Sequence, residues 1–367
     1  MLELRDYQDR IVTKTMDEFI AGAGKPGTAV LINSPCGSGK TIMGLVVCQK
    51  ILDHAELILG KPAKDVVIGW VATRHNLLEQ AEQENELVGC PNIKYISMFD
   101  ANPPKVDVLV LDEARHEGCT SGANMFQNTD PTIILGLDAT PYRSDKIRLC
   151  FNKQITDAGI RQLIEIGWLT GYNSYMMDRY DVETVVKTYL ADRKKWGKTV
   201  IYFHTIEQCE AACAELQRAG VLAEVVTGMT DRSQQIDDFK NNKLEVLVNV
   251  YVLSEGFNCS DLNTVFVRDS SKGPTIQMAG RVLRLFPGKE IANVVQSVKT
   301  RYPFQRCADP RTQYRQTEDG WVAIGQTNAV RVMSKEMVTR MIANKVTLPA
   351  MLLIQKKESR GRGRRRA

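Results

Sequence analysis

No stretch of this chain is apolar over anything near the ~20 residues that a membrane-crossing helix requires. The opening MLELRDYQDR is charged from its third residue and lacks the apolar segment of a secretory signal. Both absences argue against a membrane or exported protein and for the cell interior. Zinc-type ligand spacing is also missing. The chain has nine cysteines, an odd number, and only Cys209 and Cys213 fall four apart on an expected helix, with no second pair to complete a tetrahedral site. Free thiols in a reducing compartment are the expectation. No cluster of carboxylates resembles a nuclease centre, so any cutting would fall to a partner.

What is present is ordinary in bulk and uneven in place. Hydrophobic residues make up 43% of the 367-residue chain and charged residues 25%, as in soluble globular proteins. The formal net charge is +5. The last twelve residues, KKESRGRGRRRA, hold seven basic groups and one acid, which leaves the body near −1. An Arg/Gly tail of this kind, 356–367, is expected to be disordered and to attract phosphate backbones by counterion release.

Short apolar runs alternate with helical patterns. TAVLIN (28–33), DVVIGWVA (65–72), VDVLVLDE (106–113) and TIILGLDA (132–139) read as buried strands, with helices after the first two. The pattern then restarts with KTVIYFHT (198–205), LEVLVNV (244–250) and NTVFVRD (263–269), and a helix is expected from about Pro274 through Leu285. Two parallel-sheet α/β lobes follow, over 1–165 and 166–289. Residues 290–355 change in pattern and are assigned to a small accessory region, whose Tyr302, Phe304 and Trp321 are either base-stacking groups or core.

SPCGSGKT (34–41) sits between an expected strand and an expected helix, the context that makes a phosphate loop. Gly37 and Gly39 let the backbone curl, so that after Pro35 the N–H groups from Cys36 through Ser38 and the helix start surround an anion. Lys40 can reach terminal phosphates, and Thr41 can offer its hydroxyl to Mg²⁺. Asp112 and Glu113 end an apolar strand; Asp112 would approach the same Mg²⁺, and Glu113 would orient the attacking water. Each motif alone is weak or moderate. Together they specify hydrolysis of a nucleoside triphosphate.

With these motifs in place the chain resembles a superfamily 2 helicase, and the remaining signatures stand in family order. LRDYQ (4–8) resembles the adenine-contacting motif, through Arg5 and Gln8. VATRHNLLEQ (71–80) resembles the backbone-gripping motif, and DEAR (112–115) stands where DEAD or DEAH is usual. LDATPYR (137–143), TVIYFHTIEQCEAAC (199–213), LSEGFNCSDL (253–262) and QMAGRVLR (277–284) resemble motifs III to VI. The resemblance implies two tandem RecA-like domains with ATP between them. It makes Gly256 a nucleotide contact, and it makes Thr73, Arg74, His75, Thr205 and Thr227 nucleic-acid contacts. Gln277, Arg281 and Arg284 lie at i, i+4 and i+7, so a continuous helix would present all three on one face. Arg281 is the expected transition-state arginine, with Arg284 the close second, and Gln277 is expected at the phosphate or the water.

Two departures fall on the coupling apparatus: Arg115 closes the box, and Asp138 replaces the hydroxyl residue of motif III. His116 is either the substitute for the final box residue or an exposed or core histidine, and Thr140 supplies the hydroxyl. The LRDYQ and GRVLR signatures look most like DNA-directed and restriction-type motors, so DNA is favoured over RNA as partner. An RNA helicase and a non-unwinding ATP-gated clamp are the alternatives. A monomer in the cytoplasm of a bacterium or a phage-infected host is expected.

Overall fold

A computed structural model describes residues 2–324, apart from 24, 26, 117, 142–148, 255, 256 and 319. Gly256, the accessory region from 325 to 355 and the basic tail lie outside the described residues.

Two sheets form the frame. The first holds β1 (Thr28–Asn33), β2 (Ile68–Ala72), β3 (Ile93–Ser97), β4 (Val108–Asp112), β5 (Ile133–Asp138) and β6 (Lys153–Ile155). Their order is β3-β2-β4-β5-β1-β6, and every pairing is parallel. Central strands β2 and β4 are buried along their whole length, which is why they read as unbroken apolar runs. Edge strand β3, IKYIS, buries little of its length, so its sequence carries no such run.

The second sheet holds β7 (Tyr172–Met177), β8 (Thr199–Tyr202), β9 (Ala223–Val226), β10 (Val246–Asn249), β11 (Thr264–Phe266), β12 (Ala292–Ser297), β13 (Gln313–Thr317) and β14 (Gly320–Ala323). Their order is β14-β13-β7-β12-β11-β8-β10-β9. All pairs are parallel except β13 with β14. The boundary drawn at 290 therefore cuts the sheet, because β12 lies inside it, between β7 and β11. The sequence ANVVQS disguises this central strand with polar residues. Asn293 and Gln296 are buried, but Asn293 bonds Thr264 Oγ1 at 3.1 Å and Gln296 Oε1 accepts from the Phe304 N–H at 2.8 Å, and bonded polar groups can be buried without penalty.

The aromatic residues of this region are core. Phe304 is fully buried, edge-on to Tyr172 at 5.2 Å. Trp321 meets Tyr175 and the buried Trp196 edge-on. Tyr302 packs against the main core. Cys209 and Cys213 lie in the core of the second lobe.

Helices cover the sheets with one apolar face each. In the helix Asp6–Ala21, Tyr7, Ile11, Val12, Met16 and Phe19 point inward, the spacing of an amphipathic stripe. Gly89 at φ 74° closes the helix His75–Val88 in the left-handed conformation that glycine adopts without strain. Among the described residues no helix is long and apolar enough to cross a membrane.

Removal of everything after Lys289 should delete a central strand rather than an appendage. Such a chain is expected to lose the protease-resistant second lobe and its unfolding transition, as followed by limited proteolysis and circular dichroism. Resistance across 172–289 in the truncated chain would contradict this placement.

Candidate active site

Strands β4, β5 and β1 are neighbours, and in a parallel sheet the loops after them leave from the same end. The register fixes their heights: Asp112 pairs with Leu137, and Asp138 with Asn33. The acidic pair, Asp138 and the phosphate loop thus meet at one edge. Gly37 and Gly39 have φ 81° and 78°. A Cβ on Gly39 would stand 2.5 Å from Gln8 Nε2, so this loop needs glycine for both conformation and room. Ser38 C=O accepts from Tyr7 Oη at 2.7 Å and from Gln8 Nε2 at 2.9 Å. Gln8 is therefore bonded to the loop itself. Arg5 instead lays its guanidinium 4.2 Å over Trp168.

One cavity of about 270 Å³ gathers the site. Arg5, Cys36, Gly37, Gly39, Lys40, Thr41, Asp112 and Glu113 line it from the first lobe, and Arg281 and Arg284 from the second. Lys40 Nζ donates to Pro35 C=O at 3.2 Å. Trp168, Glu84 and Asn258 also line the cavity. Glu84 and Trp168 stand outside the motifs quoted above, and Asn258, although inside LSEGFNCSDL, was not singled out there.

Burial pushes the Asp112 carboxyl up to about 7; the Glu113 charge adds to the rise and Lys40 opposes it. Glu113 holds φ 55°, a conformation costly for a side chain with a Cβ and characteristic of functional turns.

The helix that should carry motif VI ends early. It spans Lys272–Gly280, Arg281–Leu283 form a 3-10 turn, and Arg284 is extended at ψ 139°. The three residues therefore do not share one helix face. Arg281 is buried and donates to Phe257 C=O at 3.1 Å. The side chain of Arg284 lies over the phosphate loop, its Cγ 3.2 Å from where a Gly37 Cβ would stand. Its own carbonyl accepts from Thr170 Oγ1 and Lys289 Nζ at 3.0 and 2.7 Å. Desolvation and the like charge of Arg281 lower the Arg284 pKa, so an anion between them would relieve both.

Gln277 is away from the cavity. Its amide is almost wholly buried; oriented to satisfy its neighbours, it donates to Tyr251 Oη, and its oxygen accepts from Thr140 Oγ1 at 3.0 Å and Arg115 Nη2 at 2.6 Å. The expected place at the phosphate or water is corrected to a bridge between lobes. Arg115 itself makes the contacts for which His116 was the substitute. It pairs with Glu113 and, at 2.8 Å, with Asp138. The two departures from the family pattern form an ion pair.

The five nucleic-acid candidates stand at the carboxyl ends of β2, β8 and β9. Arg74 Nη1 reaches Val252 C=O in the second lobe at 3.0 Å. His75 is exposed. The Thr73 hydroxyl is buried without a hydrogen-bond partner. Thr205 caps the helix Ile206–Arg218 by accepting from Gln208 N at 3.2 Å, and Thr227 accepts from Met229 N at 3.1 Å. Both hydroxyls therefore serve local backbone.

Comparison with known proteins agrees with this architecture. The family described as type III restriction enzyme, res subunit, matches residues 1–143, and the helicase conserved C-terminal domain matches 181–286. A 51.5 kDa protein of a Lactococcus phage is 22% identical over 82% of this chain and 72% of its own. The putative ATP-dependent helicase IRC3 of Saccharomyces cerevisiae is 22% identical over 56% of this chain, which spans 36% of that protein. A structure of the ATP-dependent Type ISP restriction-modification enzyme LlaBIII bound to DNA superposes with TM-score 0.56 at 14% identity, over 81% of this chain and 28% of that one, and so shares the fold. The chain belongs to the superfamily 2 helicases, a class of ATP-hydrolysing enzymes that act on nucleic acid.

A carboxyl raised on folding from 3.8 to about 7 makes its full contribution to the fold below its unfolded value and loses it progressively as pH climbs through about 7. In metal-free buffer, Asp112→Asn is expected to raise the melting temperature near about pH 8, with the gain fading toward about pH 4. Differential scanning fluorimetry across that range checks it; no gain at any pH would contradict the buried, unbalanced carboxylate.

Proposed function

We propose that this chain is an ATP-driven DNA helicase or translocase that hydrolyses Mg²⁺-ATP between its two lobes. The observation that carries the reading is the single cavity lined by Lys40, Asp112 and Glu113 from one sheet and by Arg281 and Arg284 from the other. A triphosphate there would touch both lobes, so its hydrolysis would change how they hold one another.

The donor set fits a divalent cation. Asp112 is a desolvated carboxylate with Lys40 as the cation that opposes its rise, and Thr41 lines the same cavity. Thr41 and Asp112 would hold Mg²⁺, which supplies charge neutralisation on the phosphate oxygens when bound. Glu113 orients the attacking water, and Lys40, Arg281 and Arg284 hold the terminal phosphate. Arg5 and Trp168 offer a flat cationic and aromatic shelf at the rim for a purine.

DNA is favoured over RNA by the LRDYQ opening and by the restriction-type relatives, one of whose structures is described as bound to DNA. Nucleic acid would run over the carboxyl ends of both sheets, beside Thr73, Arg74 and His75.

Steady-state hydrolysis with no nucleic acid, single-stranded DNA, duplex DNA and RNA tests this. DNA is expected to stimulate most, Lys40→Ala to cost at least ~10²-fold and Arg281→Ala on the order of 10³-fold in kcat. Stimulation by RNA alone would replace the DNA reading. Hydrolysis without strand displacement would favour a translocating clamp.

A further inference from the structure

Among the described residues three acids line the nucleotide cavity: Glu84, Asp112 and Glu113. The function proposed above gives the last two a task, at the metal and at the water. Glu84 has none. It comes from the helix His75–Val88, beyond the end of VATRHNLLEQ. Leu77, Gln80 and Glu84 all line the cavity; at i, i+3 and i+7 they form one face of that helix. Leu78 and Ala81 beside them are buried, which fixes the direction in which this face looks.

The carboxylate is held in advance. Gln80 Nε2, one turn away, donates to Glu84 Oε1 at 2.6 Å. Burial pushes the Glu84 carboxyl up, and the Gln80 bond, the Arg284 guanidinium and the Lys40 ammonium pull it back. The same attraction is felt at the other end. Burial and the like charge of Arg281 lower Arg284, and Glu84 is among the groups that oppose the fall. Arg284 also donates to Asn258 Oδ1. A phosphate that takes Arg284 and Lys40 therefore competes with a carboxylate that the fold has already set beside them. Helix and hydrogen bond keep that carboxylate from withdrawing, so it stays as a like charge near the phosphates.

We propose that Glu84 is a positioning residue, a built-in counter-ion that competes with nucleotide phosphates for Arg284 and Lys40 and so weakens the hold on tri- and diphosphate alike. Three cations and the N–H groups of a phosphate loop grip phosphates strongly, and binding energy spent equally on every state of the substrate does not raise kcat. Glu84 moderates that grip. This rests on the reading of the chain as an ATPase.

The test uses the full chain with Glu84→Gln, with Arg284→Gln alone and combined with Glu84→Gln, and with Glu86→Gln. Glu86 is exposed on the same helix, so its replacement removes the same charge away from the cavity. Isothermal titration calorimetry gives Kd for Mg²⁺-ADP and for a non-hydrolysable ATP analogue with Mg²⁺, and ATP hydrolysis with oligo(dT) is followed in parallel. Glu84→Gln is expected to tighten both ligands ~5-fold and to lower KM for ATP to match, with kcat within about twofold, as for a uniform binding term. The gain should narrow between about 50 mM and about 500 mM NaCl, because it is an effect of charge. With Arg284→Gln in place it should shrink to about twofold or less, the share left to Lys40. Glu86→Gln should keep Kd within about twofold of the wild type.

Unchanged binding in Glu84→Gln would overturn the proposal, and so would weaker binding, which would make Glu84 a direct contact of the nucleotide. An equal gain in Glu86→Gln, or a gain undiminished when Arg284 is replaced, would overturn it as well. Should Glu84→Gln fail to fold by circular dichroism, Glu84→Asp draws the charge back by one methylene and should tighten both ligands ~2-fold; no tightening there overturns the proposal. A wild type that binds nucleotide without hydrolysing it defeats the function proposed above, and the affinities still decide on Glu84. A wild type that binds no nucleotide defeats both.

Discussion

Asp112, Glu113 and Asp138 bring three carboxylates to one end of two adjacent strands, away from water. Desolvated like charges repel strongly, and Asp112 and Asp138 are both raised, by burial first and by their acidic neighbours as well. Two cations answer them from opposite sides. Lys40 stands in the cavity, and Arg115 stands behind it between Glu113 and Asp138. The first faces where phosphate would bind; the second faces the seam. Much of the local architecture, from the glycines of the loop to the unusual turn at Glu113, serves to hold these charges at fixed separations.

The second lobe contributes to the same balance by placing more positive charge opposite. Arg281 and Arg284 repel one another, yet their backbone is tied down. Thr170 N–H donates to Leu283 C=O at 2.7 Å, and Lys289 donates to the carbonyls of Ser260 and Arg284. Burial lowers Lys289 to about 8. A lysine used in this way is a structural pin, and it lies at the boundary where the sequence pattern changes.

Much of the arrangement was legible because its chemistry is local. SPCGSGKT, directly after β1, contains the turn and the helix start in eight residues, and the acidic pair ends a run that is unmistakably buried strand. Continuous apolar strands gave both sheets their central members. Edge strands and β12 were harder: the former bury one face, and the latter carries Asn293 and Gln296, whose partners are distant in sequence. Motif VI misled through its spacing, since i, i+4 and i+7 describe one face only if the helix continues past Gly280. Arg115 and Asp138 looked like two separate losses; they lie 23 residues apart, and only the pairing of β4 with β5 brings them together. Gln277 was assigned to the phosphate on family pattern, while its burial against Tyr251, Thr140 and Arg115 makes it a strut of the seam.

The end of the helix Lys272–Gly280 lies directly on the phosphate loop. A Cβ at Gly280 would stand 3.3 Å from the Cβ and 3.7 Å from the sulfur of Cys36. That thiol borders the cavity while itself nearly buried, and it is faced by a residue with no side chain. A substituent on that sulfur would have to find room against Gly280, between the phosphate loop and the helix that leads to Arg281 and Arg284. The smallest residue in motif VI thus sets the clearance on which the engine shuts.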